Sequence, residues 1–155
     1  VLELKKANIN FKLQFVGSIT KGNYLEDLKM FVQKNSLEQD VEFVGHQDNV
    51  SHYLMNSDLF IFPSWGEGLP NVILEGFAHA IPILAFENTV FPEFKQLGFH
   101  LHLAQNKDVY DLSKKLLFMA THIEDELQQA LHNRDLAKKV FNKEQEITGI
   151  LDMLI

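Results

Sequence analysis

The stretch SWGEGLPNVILEG, residues 64–76, carries two glutamates, Glu67 and Glu75, with seven residues between them. Glu67 stands between two glycines just ahead of Pro70, whereas Glu75 lies inside the apolar run NVILEGF. An ionised carboxylate accepts two or more hydrogen bonds and suits the paired hydroxyls of a sugar, but it repels phosphate. The segment between the glutamates can supply what they cannot. Proline is tolerated in the first turn of a helix, so a helix is expected to run from about Pro70 to Ala80. Its open N–H groups, those of Asn71 and Val72 with Gly68 and Leu69 nearby, together with the positive end of its dipole, can hold a diphosphate without Lys or Arg. Two carboxylates flanking a phosphate-binding helix start imply two sugars. Glu67 would face one beyond the diphosphate, and Glu75 the other, as an acidic residue faces ribose in dinucleotide folds. The ligand implied is a nucleotide sugar.

Other residues invite chemistry less strongly. His46 follows Gly45 at the end of an expected strand, near the expected cleft. His79 lies at a helix C-terminus, where the dipole alone accounts for it. Trp65 sits two residues before Glu67 and is suited either to stacking on a sugar or to packing over the domain edge. His100 and His102 share one strand face, but no third ligand or thiolate lies close in sequence, so a half-exposed sheet face explains them and no metal is assigned. The chain has no cysteine, which removes disulfides, thiolate zinc sites and thiol nucleophiles together.

The elements that must position the glutamates follow from periodicity. FKLQFVG (11–17), VEFVG (41–45), DLFIFPS (58–64), PILAF (82–86) and FHLHLA (99–104) read as strands. Residues 58–64 form a continuous apolar run of the kind buried on both faces. Helical spacing marks 25–39, a short helix capped by Asp48 and ending at Met55, the helix after Pro70, 91–98, and the remainder from about Lys107. The Leu, Phe and Met stripe over 112–119 reads as core or an interdomain surface, and EDELQQALHNRDLAKK as a solvated helix. Strand and helix alternate, which demands crossover connections and an α/β, Rossmann-like parallel sheet with helices on both faces. Ligands of such sheets bind beyond the carboxyl ends of the strands, where residues 63–71 fall.

With 155 residues and 46% hydrophobic content the chain suits one domain. A formal net charge of -7 gives no broad footprint for nucleic acid or an anionic membrane. No apolar run approaches the roughly 20 residues that span a bilayer. The opening VLELKKANIN reads as the end of an amphipathic helix, so the chain is expected to be cut from something longer.

EGLPNVILEGFAHAIPILAF, with VEFVGHQDNVSHYLMNSDLFIFPS upstream, resembles the C-terminal, donor-binding domain of glycosyltransferase family 4, retaining enzymes of the two-domain GT-B fold. The resemblance spans roughly residues 11–150 and is most specific at the glutamate pair enclosing Gly68, Leu69, Pro70 and Asn71. It implies that Glu67 binds and orients the transferred sugar, that the backbone of Gly68, Leu69, Pro70 and Asn71 meets sugar and phosphates, that Glu75 binds the ribose, and that Gly45 and His46 lie near the base. It implies a donor substrate, a UDP-sugar foremost, with no cofactor or metal. It also implies an acceptor-binding N-terminal domain or subunit, a glycan or lipid-linked acceptor, and a cytoplasmic location with membrane contact only through regions outside this sequence. The final FNKEQEITGILDMLI resembles the family's last helix.

Three departures stand out. The family's domain opens with a strand and loop bearing an Arg and a Lys for the diphosphate, and nothing before Phe11 supplies them; residues 1–155 are therefore expected to lack that first strand as well as the acceptor domain. ENTVFPEF replaces a Gly-rich turn, and Ala80 stands where a Gly commonly ends the helix. Two further readings are a stand-alone nucleotide-sugar-binding subunit of a split transferase and a non-catalytic α/β scaffold. A dinucleotide oxidoreductase is disfavoured because no G-x-G-x-x-G follows a strand.

Overall fold

The computed structural model describes residues 1–18, 23–64, 70–87 and 91–141. The chain divides into two compact units, Val1–Tyr53 and Leu54–Ile155, taken in turn below.

In the first unit, α1 (Leu2–Lys6) precedes β1 (Leu13–Val16), α2 (Tyr24–Lys34) and β2 (Val41–Gly45). β1 and β2 are parallel, with Leu13 opposite Val41 and Phe15 opposite Phe43. The two phenylalanine rings stack at 5.1 Å. Leu4, Val32 and Leu37 form the buried apolar set. The Lys5 ammonium donates to the carbonyls of Asn35 and Ser36, at 2.9 and 2.7 Å, so a cation closes the C-terminal end of α2 where its carbonyls are free. The helix expected over 25–39 therefore stops at Lys34, and Ser36 turns the chain with φ at 51°.

The boundary between the units falls within α3 (Val50–Met55). Asp48 does not cap this helix as expected: the Asn49 side chain accepts from His52 N–H at 3.3 Å, the geometry of an N-cap reaching its third residue. Asp48 instead lies 3.4 Å from His46.

The second unit runs β3 (Phe60–Phe62), α4 (Asn71–Ala78), β4 (Ile83–Phe86), α5 (Phe91–Gln96), β5 (His102–Ala104), α6 (Val109–Thr121) and α7 (Ile123–Val140). The strands form a parallel sheet in the order β3-β4-β5. β4 lies between two neighbours and is buried at all four positions, whereas β3 is half-buried throughout. The fully buried strand is thus PILAF rather than the expected DLFIFPS. Along β4, Ile83 and Ala85 join a cluster with Ile73 and Phe77 of α4, Phe91 and Phe94 of α5, and Phe99. By the pleat, Leu84 and Phe86 point the other way. α6 packs against β4 and β5 and contributes buried Leu116 and Met119, so that part of its apolar stripe is core, whereas Phe118 is half exposed.

The cluster is largely aromatic. Phe77 stacks on Phe99 at 4.4 Å and meets Phe94 edge-on at 5.3 Å, contacts worth about 0.5–1.5 kcal/mol each beyond simple burial. Gly76 lets α4 approach closely: a Cβ there would lie 3.0 Å from Ile83 Cδ1 and 3.4 Å from Phe60 Cδ1. α4 ends in a Schellman motif, with Ile81 N–H on Gly76 O at 3.2 Å and Ala80 N–H on Phe77 O at 3.1 Å. That motif needs a left-handed residue after the cap, and Ala80 takes it at φ 55°. α6 is capped by Asp108, which accepts from Asp111 N–H at 3.0 Å. Asp111 accepts in turn from Lys115 at 2.5 and 2.6 Å and from Gln105 N–H at 2.8 Å.

Candidate functional site

At the carboxyl end of β3 the chain passes Pro63 and Ser64, and it re-enters the described residues at Pro70. Pro70 is the N-cap of α4, with φ -77° and ψ 119°, and Asn71 is the first helical residue. This corrects the expected placement of Pro70 inside the first turn and shortens the helix from Ala80 to Ala78. The reason is local. The extended ψ of Pro70 puts it outside the helix, while its carbonyl already accepts the first turn's bond from Ile73 N–H at 3.0 Å. Proline has no side-chain acceptor, so no side chain caps this end. The N–H groups of Asn71 and Val72 precede that first bond and point out of the helix N-terminus.

Glu75 is the fifth residue of α4, half-buried, and makes no side-chain hydrogen bond or ion pair with another described residue. Its neighbours fix it firmly, since Ile73, Gly76 and Phe77 on the same helix are buried. A carboxylate one turn from the open N–H groups of Asn71 and Val72 places hydrogen-bond acceptors beside donors that suit an anion. Glu67, Gly68 and Leu69 lie outside the described residues, as do Trp65, residues 88–90 of ENTVFPEF and the last helix expected beyond residue 141.

In the first unit, Gly45 ends β2 with φ 80°, a left-handed value that favours glycine, and its carbonyl accepts from Gly17 N–H at 2.8 Å. The turn presents His46, whose side chain is 73% exposed. His79 is the C-cap of α4, as its expected position at a helix C-terminus requires.

A second cluster was missed by sequence reasoning. The Glu126 carboxylate, in α7, faces His100 Nε2 at 3.0 Å through Oε2 and His102 Nε2 at 2.8 Å through Oε1. Glu126 is only 5% exposed, and Asn133, two turns further along the same face of α7, is 1% exposed. The Asn133 amide accepts from His100 N–H at 2.7 Å and donates to His100 C=O at 2.6 Å. The stretch read as a solvated helix is solvated on one face and packed on the other, with Leu136 and Ala137 against the aromatic cluster. The available signal was the stripe Glu126, Ala130, Asn133, Ala137 at helical spacing. Its polar members hid it. The sequence also showed no third ligand beside His100 and His102, and the fold brings one from 24 residues beyond His102.

Comparison with known proteins agrees with this architecture. Residues 1–122 match the family model described as glycosyl transferases group 1. An uncharacterized glycosyltransferase of Haemophilus influenzae is 31% identical over 134 residues, covering 84% of this chain and 36% of that protein. The capsular polysaccharide biosynthesis glycosyltransferase CapH of Staphylococcus aureus is 31% identical over 123 residues, covering 77% and 34%. The chain thus spans about a third of the length of these curated relatives. Among solved structures, Anabaena HepE in complex with UDP superposes with a TM-score of 0.80 at 19% identity, over 93% of this chain and 40% of that one. The C-terminal domain of the Francisella tularensis group 1 glycosyl transferase LpcC gives 0.73 at 15% identity, over 92% of both chains. These likenesses establish the Rossmann-like α/β fold of a GT-B domain. With residues 1–122 of its 155 matching that family model, the chain belongs to the group 1 glycosyl transferases.

Proposed function

We propose that this chain is the C-terminal, donor-binding half of a retaining glycosyltransferase of family 4. The whole enzyme would move a hexose-type sugar from a UDP-sugar to a glycan or lipid-linked acceptor. The observation that carries the reading is Glu75, half-buried without a described side-chain partner and one turn inside a helix whose N-terminus no side chain caps. Support for the C-terminal placement comes from the C-terminal domain of LpcC, with which this chain superposes over 92% of both chains. Support for a uridine donor comes from HepE, whose structures hold UDP and UDP-glucose. CapH and the amylovoran biosynthesis glycosyltransferase AmsK of Erwinia amylovora support a polysaccharide acceptor.

In this scheme Glu75 accepts from the ribose hydroxyls, and the N–H groups of Asn71 and Val72 stabilise the diphosphate as it departs. Glu67, with Gly68, Leu69 and Pro70, orients the sugar. The sugar–phosphate bond breaks with oxocarbenium character, the departing diphosphate keeps the bonding pair, and the acceptor hydroxyl attacks from the same face and passes its proton to the departing phosphate oxygen. Positioning and leaving-group stabilisation supply the rate. The acceptor would be held by an N-terminal domain or separate subunit, so transfer belongs to the whole enzyme and this chain by itself binds donor without turnover. The whole enzyme would work in the cytoplasm, at the membrane face through other regions; among the described residues no helix is long and apolar enough to cross a membrane.

Calorimetric titration with UDP, GDP and their sugar conjugates tests the reading. One nucleotide should bind saturably, and Glu75→Gln should weaken it about tenfold or more, since hydrogen bonds to a charged group are worth about 1.5–3 kcal/mol. Equal affinity in the variant would remove Glu75 from the ribose.

A further inference from the structure

We propose that His100, His102 and Glu126 form a binding site for a divalent transition cation of the zinc class, which clips the start of β5 to α7. The three side chains offer two imidazole nitrogens and a carboxylate, with ligand atoms all within 4.8 Å of one another. Zinc binds such atoms at about 2.0–2.2 Å, so neighbouring donors of a tetrahedral site lie about 3.3 Å apart. The histidine Nε2 atoms lie 3.0 and 2.8 Å from the two different oxygens of Glu126, close to that spacing, and side-chain rotation within the 4.8 Å cluster would bring the three donors onto one ion. Two histidines and one glutamate complete three corners and leave the rest to water.

Charge favours an ion here. Glu126 is buried and its carboxylate meets the two imidazoles, whose ring nitrogens can give lone pairs to a cation that the carboxylate also binds. No Lys or Arg pairs with Glu126 among the described residues. Glu124 and Asp125 in the same first turn of α7 add to the negative potential and oppose the positive end of the helix dipole. The site is also held and reachable. Asn133 fixes the His100 backbone through two bonds, and the His100 side chain is 40% exposed, which gives an ion a path from solvent. The cluster stands at the amino end of β5, whereas the donor residues follow the carboxyl end of β3 in the same parallel sheet. The ion's role is thus structural and separate from sugar transfer.

The test is titration of the metal-free 155-residue chain with Zn²⁺ by calorimetry, and with Co²⁺ by visible absorption, in parallel with His100→Ala and Glu126→Gln. The expected result is one equivalent bound, d–d bands on Co²⁺ addition, a higher thermal midpoint with Zn²⁺, and at least a tenfold loss of affinity in both variants. His100→Ala removes a half-exposed side chain and should keep the fold, which circular dichroism would verify. Absence of one-equivalent binding, or equal binding by folded His100→Ala and the parent chain, would overturn the site and leave a hydrogen-bonded clasp.

Discussion

Asn133→Ala should be among the most damaging single changes in the second unit, although it removes only an amide. His100 precedes β5, and its N–H and C=O are both bonded by the Asn133 side chain at 2.7 and 2.6 Å, as a neighbouring strand would bond them. Asn133 is 1% exposed, so water cannot readily replace it. Leaving a buried polar group unsatisfied costs about 1–3 kcal/mol, and two such groups give a loss of about 2–6 kcal/mol. In a chain of this size each kcal/mol shifts the thermal midpoint by about 2–4 °C, which puts the expected drop at roughly 4–24 °C. Asn133→Asp keeps the acceptor for the N–H but turns a second oxygen toward the His100 carbonyl, and should do no better. Urea and thermal unfolding followed by circular dichroism would measure both variants. A loss under about 1 kcal/mol for alanine, or parent-like stability for aspartate, would refute the claim that this amide stands in for a strand.

Ala80→Gly should stabilise, because the left-handed φ of 55° costs an alanine about 1–2 kcal/mol and glycine almost none, less about 0.5–1 kcal/mol of added unfolded-state entropy; a net rise in midpoint of one to a few degrees is expected, and a fall would contradict the Schellman assignment. The Asp111 carboxyl is held below the ordinary carboxylate range by its hydrogen bond to Lys115, then by Gln105 N–H. A depressed folded pKa means stability that is present above the unfolded value of about 4 and is lost as pH falls through the folded one. Unfolding curves between pH 7 and 2 should show that loss in the parent chain, and Asp111→Asn should flatten its part of the slope.

The order of elements was legible because each strand is a short apolar run closed by glycine, proline or a polar turn, and each helix has its own apolar face. VEFVG over 41–45 coincides with β2 residue for residue. Boundaries shifted where a side chain competed. Asn49 took the cap assigned to Asp48, and the Lys5 clamp closed α2 five residues early. The relative burial of β3 and β4 was not legible, since two apolar runs look alike until the sheet order makes one of them central. In the candidate site, Glu75 and the helix start were legible from Pro70 and the apolar run. The His100, His102 and Glu126 cluster was not, because its third member arrives through tertiary packing of a helix whose pattern is mostly charged.

The central claim is that the open end of α4 and Glu75 hold a nucleoside diphosphate. Its most direct test is a UDP titration of the isotope-labelled chain followed by amide chemical shifts. The account predicts saturable shifts at Asn71, Val72 and Glu75, moving together with one dissociation constant that rises about tenfold or more in Glu75→Gln. Saturable shifts that leave the first two turns of α4 unmoved would contradict it.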